Sequence, residues 1–424
     1  MLEMPFVREN PDVVRKDLQK RGLTQKIKVL DELIEKDSAW RKKRGEIDKL
    51  RSERNTLSSE INSLLSRKKD ASSLMEKAKG LPGKIKKGEG EADLLAGQIR
   101  GLLMGLPNIL DASVPEGKDE NDNVEIRRWG STAKKEAWLK HHGEFAQEKN
   151  LADFRRGVKL SGSGFYFLKG GAALLDLALQ RFAIDELMKK GFTLIAPPLM
   201  MRRAPYEGVV DMEDFKNVMY KIEGEDLYLI ATSEHPIAAM FQDEIINSKE
   251  LPLKFVGVSP CFRKEIGKHS IDERGLFRVH QFNKIEQLVF CLPEQSGKVF
   301  DELIANAESL VKKLGVPYRV VNICTGDIGT IASKKHDIDA WSPREQKFIE
   351  IISCSDCGSY QASRLKTRYR KGAEKGFLCT LNSTAIATSR LIRVLIEQNQ
   401  TEKGTVIIPK PLMPYMGNSS EIPL

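Results

Sequence analysis

The chain has 424 residues, 41% apolar and 30% charged, the composition of a soluble protein with a real core and the length for two domains. No run approaches the roughly 18 apolar residues that span a bilayer. The opening "MLEMPFVREN" lacks a basic segment followed by an apolar one, so no membrane association and a cytoplasmic location are expected. A net charge of +9 permits a polyanionic partner without demonstrating one.

From the N-terminus, residues 26–106 carry two coiled-coil seams. Leu33, Trp40, Ile47, Leu50, Leu57, Ile61 and Leu64 follow a 3,4 alternation with Arg54 in one slot. A second register runs Leu74, Ala78, Leu81, Ile85, Gly88, Ala92, Leu95, Ile99, Leu102 and Leu106. The polar "SRKKDAS" between them predicts an antiparallel helical hairpin whose arms reach about 50 Å at about 1.5 Å per residue. Pro82, flanked by glycines, predicts a kink in the second arm. Around the tip, residues 67–87 hold eight Lys/Arg against Asp70 and Glu76, either a solvated helix surface or a phosphate-contacting patch.

After "GLPNIL" the pattern becomes that of a mixed globular domain. "GGAALLDLALQRFAIDELMKKG" reads as a helix running into a strand "FTLIAPPLM", where prolines are tolerated only at an edge or interface. Short strands follow at "YLIAT", "KFVGVS" and "QLVFCL", then a helix "PEQSGKVFDELIANAESLVKKLG", strands "YRVVNI" and "KFIEIISCS", and a last helix from about Ser383 to Asn399. Strands and helices do not alternate regularly, so the expected fold is α+β: a helical arm over residues 1–110 and a mainly antiparallel sheet flanked by helices over 111–424. Neither GxGxxG nor GxxxxGK[ST] occurs. Of six cysteines, Cys354 and Cys357 form a lone C-x-x-C pair. Ordinary reduced thiols are expected, with no role for that pair legible.

The stretch "FRKEIGKHSIDERGLFRVHQFNKIEQ", residues 262–287, reads as two strand-like ends around a long charged turn bounded by Gly267 and Gly275. Taken with "GFTLIAPPLMMRR" before it and "CTLNSTAIATSRLIRVLIEQNQ" after it, the chain resembles the class II aminoacyl-tRNA synthetases. "CSDCGSYQASRLKTRYR", "TLNSTAIATSR" and "PLMPYMG", behind the coiled coil, narrow the resemblance to the seryl-tRNA synthetase family over essentially the whole chain. "ATSEHPIA", "SDCGSYQ" and "NSTAIATSR" resemble its archaeal members.

The resemblance implies that serine and ATP with Mg²⁺ form seryl-adenylate, and that serine then passes to the 3′-end of tRNA-Ser. Use of tRNA-Sec stays open. It implies Arg263 on the α-phosphate and the serine carboxylate, Glu265 beside it, Arg278 among the ATP contacts, Phe282 stacked on adenine and Arg390 on the γ-phosphate. Arginine suits this work because its fork pairs with phosphate oxygens and stays charged. Glu350 and Ser353 match the magnesium position. Residues three apart on a strand face opposite sides, so Ser353 requires a local bulge. Thr232 and Glu234 would take the ammonium group, Glu286 the hydroxyl, with Asn382 and Thr384 near it. Buried groups that must find a hydroxyl separate serine from alanine, which an apolar pocket cannot do.

The sequence departs from common family patterns at Ser233 and at Ser383, Ala385 and Ala387, where glycines often stand. His235, His269 and His280 read as structural, since the chemistry demands no protein base. The resemblance places the arm across tRNA-Ser, through Arg67, Lys68, Lys69, Lys84, Lys86 and Lys87 at its tip. Synthetases with an anticodon-binding module carry it after the third motif, where only residues 401–424 follow here. Pro198 matches an interface proline, implying a homodimer. A catalytically silent paralogue would have lost charge at Arg263, Glu265, Glu286, Glu350 and Arg390, and all five are present. A relative loading a carrier protein has no use for a basic arm, and a coiled-coil interaction protein leaves three ordered motifs unexplained.

Overall fold

The computed structural model describes residues 1–211, 217–265 and 275–423. Most of the charged turn, His269 included, lies outside them. The chain divides into two compact units, Met1–Ile109 and Leu110–Leu424.

The first unit contains helices α1 (Met4–Glu9), α2 (Pro11–Lys20), α3 (Ile27–Ser66), α4 (Ser72–Lys79) and α5 (Leu81–Met104). α3 pairs with α5 along the expected seam. Ile47 packs with Ile85 and Ala92, and Leu30 and Leu33 with Ile99, Leu103 and Leu106. Ion pairs Arg51–Glu89 (2.7 Å) and Lys43–Glu91 (2.9 Å) flank it in antiparallel order. Gly88 permits the close approach: a Cβ there would stand 3.0 Å from Ile47 Cγ1. The predicted kink takes the form of a one-residue interruption. Gly80 keeps helical angles (φ −84°, ψ −17°) between α4 and α5, and Pro82 falls in the first turn of α5, where its missing N–H is not needed. Sequence periodicity did not foresee α1 and α2, whose Val7, Val14 and Leu18 close the base of the hairpin. Arg67, Lys68 and Lys69 are exposed in the turn after α3, and Lys84, Lys86 and Lys87 are exposed on α5.

The second unit is built on an eight-stranded sheet. In chain order its strands are β1 (Val124–Trp129), β2 (Thr193–Ile195), β3 (Leu253–Phe262), β4 (Gln281–Cys291), β5 (Tyr318–Asn322), β6 (Lys334–Ser342), β7 (Lys347–Asp356) and β8 (Cys379–Ala387). They lie in the order β1-β5-β6-β7-β8-β4-β3-β2, antiparallel except for the β2/β3 edge pair. Helices α6 (Gly170–Met188), α8 (Ser296–Lys313) and α9 (Thr388–Asn399) share one core cluster with the sheet, burying Leu179, Phe182, Phe300, Leu303 and Leu395 against Ile285, Val289, Ile338 and Ile352. A short helix, α7 (Glu234–Ala239), packs in a second cluster that includes Leu288 and Phe290. Successive β4 side chains therefore divide between two sides of the sheet, as period-two geometry requires.

Three expectations shift. The apolar strand ends at Ile195, so Pro197 and Pro198 follow an edge strand without interrupting it. Phe277 and Val279 precede β4, which begins at Gln281. The last helix begins at Thr388 and Ser383 belongs to β8, because the residues from Cys379 to Ala387 are all buried in the sheet.

Candidate active site

Two cavities open beside the sheet, about 370 Å³ and 850 Å³ in volume, and Arg263, Phe282, Glu350 and Arg390 line both. The smaller collects Thr232, Glu234, Glu286, Ser353, Asn382 and Thr384. Five structural elements supply them, which is why no spacing in the sequence brings them together.

Glu286, only 1% exposed, is held on one oxygen. Lys284 Nζ lies 2.6 Å from its Oε2, and the Thr384 hydroxyl donates to the same atom at 3.2 Å. Thr384 is the register partner of Glu286 across the β8/β4 ladder. Glu234 opens α7. Its backbone N–H donates to Thr232 Oγ1 at 3.2 Å, and Gln361 Nε2 donates to its Oε1 at 3.2 Å. Burial, then the nearby charge of Glu286, pushes the Glu234 carboxyl up to about 7 against the pull of Lys284, Gln361 and Arg263. α7 comes this close because β3 has no side chain at Gly257. A Cβ there would meet Ile237 Cδ1 and Ser233 Oγ at 2.6 Å. The Ser233 hydroxyl itself is buried without a hydrogen-bond partner. Asn382 donates to Cys357 Sγ at 3.8 Å, and all six cysteines are buried and unbridged.

The bulge that Glu350 and Ser353 require is present. On β7, Ile352 pairs with Ile338 and Glu350 with Asp339, so Ile351 is the extra residue and both side chains reach the smaller cavity. Arg390 Nη1 donates to Glu350 Oε1 at 2.8 Å, and the two side chains stay 28% and 44% exposed to the cavity space. Burial would raise the Glu350 carboxyl, but the charges of Arg390 and Lys335 outweigh it and hold it below the usual carboxylate range.

The larger cavity adds Glu265, Phe277, Arg278, Val279 and Arg393. Arg278 Nη1 stands 3.8 Å from Glu265 Oε2. Arg263 lies over the Phe282 ring (5.4 Å), and its Nε donates to the Ala231 carbonyl at 3.2 Å. Arg390 and Arg393 lie over Phe277 at 5.5 and 4.4 Å, Arg393 being anchored to Glu397 at 2.9 Å. Two of the histidines have structural partners: His235 Nδ1 meets Tyr206 Oη at 3.0 Å, and His280 meets Tyr220 Oη at 2.7 Å while stacking on Phe165.

Pro198 lies in neither cavity, and the six basic tip residues belong to the other unit. Sequence reasoning missed Lys284, Lys335 and Asp337 as lining residues, and Gln361 as the partner of Glu234. For Lys284 a signal existed: Phe282, Lys284 and Glu286 share one parity on one strand.

The seryl-tRNA synthetase N-terminal domain family matches residues 1–110, and the tRNA synthetase class II core domain (G, H, P, S and T) family matches residues 218–399. A serine--tRNA ligase of Methanocella arvoryzae is 55% identical over 419 residues, 98% of this chain and 99% of the relative. The chain belongs to the seryl-tRNA synthetase family. The solved seryl-tRNA synthetase of Pyrococcus horikoshii complexed with ATP superposes with a TM-score of 0.93 at 46% identity, covering 100% of this chain and 99% of that one. Prolyl-tRNA synthetase of Giardia lamblia, at 18% identity and a TM-score of 0.58 over 67% of this chain and 57% of its own, shares the fold alone. The class II core match covers β3 to β8 and thus most of both cavities of this synthetase. A magnesium ion fits the donor set: the Glu350 carboxylate and the Ser353 hydroxyl are hard oxygens on one wall. Among the described residues no cluster of three or more His, Cys, Asp or Glu is placed to hold a metal. No helix among the described residues is long and apolar enough to cross a membrane.

Proposed function

We propose that this synthetase, a class II serine--tRNA ligase, forms seryl-adenylate from serine and ATP in the two joined cavities and transfers serine to the 3′-end of tRNA-Ser. The observation that carries this reading is Arg263 at the junction, lining both the smaller polar cavity and the larger arginine-rich one. A serine carboxylate oxygen attacks the α-phosphorus of ATP, a P–O bond forms, and pyrophosphate leaves with the broken bond's electron pair. Arg263 meets negative charge on both reactants at once, and Arg390 meets the leaving phosphates. Adenine stacks on Phe282, with Glu265 and Arg278 at its rim. Glu350 and Ser353 would hold a magnesium ion, which would supply charge neutralisation on the phosphates.

In the smaller cavity Thr232 and Glu234 receive the ammonium group and Glu286 the hydroxyl, with Asn382 and Thr384 closing the wall. Glu234 near pH 7 needs this partner, because a buried carboxylate ionises readily only when a cation joins it. Transfer then breaks the acyl-phosphate bond as the terminal ribose hydroxyl attacks, the phosphate taking the proton. Amino-acid-dependent ATP–pyrophosphate exchange over all twenty amino acids tests this. Exchange driven by serine alone is expected; a folded protein without exchange would make the chain a silent paralogue.

The tip residues Arg67, Lys68, Lys69, Lys84, Lys86 and Lys87 are proposed to contact tRNA phosphates, being exposed on a hairpin with few carboxylates nearby. Reversing charge at Lys84, Lys86 and Lys87 should lower charging about tenfold or more and reduce its salt dependence by about 0.9 in slope for each phosphate no longer neutralised. Exchange should not change. A homodimer through the β2 edge and Pro198 is proposed from the exposed apolar side chains Leu174, Leu177, Leu194, Leu199 and Met200. A stable monomer at micromolar concentration in sedimentation would remove it. A cytoplasmic location completes the proposal.

A further inference from the structure

On β4, Phe282, Lys284 and Glu286 project to the same side, and all three line the smaller cavity. The function proposed above occupies the first and the third and leaves the lysine without a task. Lys284 is 6% exposed, and a lysine this deeply buried is rare unless something needs it. Its ammonium stands 2.6 Å from Glu286 Oε2, the oxygen that also accepts from Thr384. Both contacts fall on Oε2, which leaves Oε1 to accept from a substrate donor. Opposite, Glu234 brings a second carboxylate into the same space. Two carboxylates in one buried cavity share a proton unless a cation intervenes.

We propose that Lys284 is a positioning residue for serine. It fixes the Glu286 carboxylate through Oε2 and so presents Oε1 to the substrate. The inference rests on the serine reading of this cavity and deepens it. A Glu286 carboxylate free to turn would offer the serine hydroxyl no fixed acceptor and lose selectivity over alanine, so the lysine acts on specificity without touching the reacting atoms. The other charged or titratable groups facing this space are Arg263 after β3, His235 on α7, Lys335 on β6, Glu350 on β7 and Arg390 on α9. Behind Glu234, a neighbouring cavity adds Asp211, Asp327 and Cys357. Arg390 is committed to Glu350 and Lys335 to Asp337 (3.2 Å), whereas Lys284 is bonded to Glu286.

The test is the serine-dependent exchange reaction of the full chain with Lys284→Met and Lys284→Arg, from pH 6 to 8.5. In the wild type, kcat/KM for serine rises with pH and levels above about 7, as Glu234 ionises in the free enzyme. With methionine, the serine KM should rise at least tenfold, the ATP KM should stay within about twofold, and the inflection should move up by about one pH unit or more. Sign and cause agree: removing the Lys284 charge disfavours the ionised Glu234 carboxylate, so more alkaline solution is needed to restore it. Selectivity for serine over alanine should fall with it.

Arginine should keep the inflection while raising the serine KM severalfold, because the charge stays and its reach changes. Unchanged serine KM and inflection in a folded methionine variant overturns the proposal, as does an equal rise in both KM values. If the methionine variant fails to fold, an arginine variant with the wild-type serine KM overturns it as well. Absence of serine-dependent exchange in the wild type would instead remove the serine reading of the cavity.

Discussion

The two cavities that share Arg263 solve opposite electrostatic problems. The smaller is walled by groups that already satisfy one another: Lys284 and Thr384 on Glu286, Gln361 on Glu234, Cys357 against Asn382. The larger holds arginines over aromatic rings that are also paired with carboxylates, Arg390 with Glu350 at 2.8 Å, Arg393 with Glu397 at 2.9 Å and Arg278 with Glu265 at a looser 3.8 Å. A site that must read one hydroxyl gains from buried polar groups whose partners are fixed, since a wrong substrate leaves them unpaired. A site that would receive three phosphates gains from arginine charge held in place by stacking. On the proposed reading, the difference sets most of the specificity in one room and most of the charge neutralisation in the other, with Arg263, Phe282, Glu350 and Arg390 as the shared wall.

The larger room should give the larger loss. Arg390→Ala removes a positive group from the phosphate side and frees Glu350 from its 2.8 Å partner, leaving an uncompensated carboxylate where phosphates arrive. Exchange should fall about 10²–10³-fold, the scale of removing one well-placed donor, with the sedimentation behaviour unchanged. Near-normal exchange would take Arg390 off the phosphates. In the smaller room, Glu286→Gln should raise the serine KM by more than about tenfold while the ATP KM stays within about twofold. It also strands Lys284 without its counter-ion, at a cost on the scale of about 3–5 kcal/mol for a broken buried pair. Urea denaturation should show that loss. A variant of wild-type stability with an unchanged serine KM would show that the two rooms are not separate.

Much of this was legible in the sequence, for unequal reasons. The arm announces itself because helix seams are local: Ile47 meets Ile85 and Ala92 through a repeat that any window reveals. Arg263, Phe282, Glu286, Glu350 and Arg390 were nameable because three ordered segments resembled a family, not because spacing placed them together. The resemblance put Glu350 and Ser353 on one wall, which a regular strand does not allow, and Ile351 supplies the bulge this requires. Lys284 stayed hidden among the charges of a stretch read as a hairpin, and its parity with Phe282 and Glu286 counts only once β4 is known to begin at Gln281. Lys335, Asp337 and Gln361 carry no local signal, because sheet order, set by non-local pairing, delivers them. α1 and α2 are too short to show a convincing period.

The finest separation between the rooms is a missing side chain. Gly257 faces α7, whose Glu234 lines the smaller room, and its ordinary backbone shows that close approach, not an unusual conformation, requires glycine there. An alanine Cβ would stand 2.6 Å from Ile237 Cδ1 and 2.6 Å from Ser233 Oγ. The isoleucine end could swing aside, but Ser233 precedes Glu234 directly, so the start of α7 must retreat. Overpacking of this kind costs about 1–3 kcal/mol. A retreat of α7 carries Glu234 away from Thr384 and Glu286 across the cavity. Gly257→Ala should therefore raise the serine KM about three- to tenfold, lower stability by that amount in urea, and leave the ATP KM unchanged. If both KM values rise together, α7 supports the nucleotide as well as the amino acid, and the shared wall at Arg263 extends further than the side chains that line it.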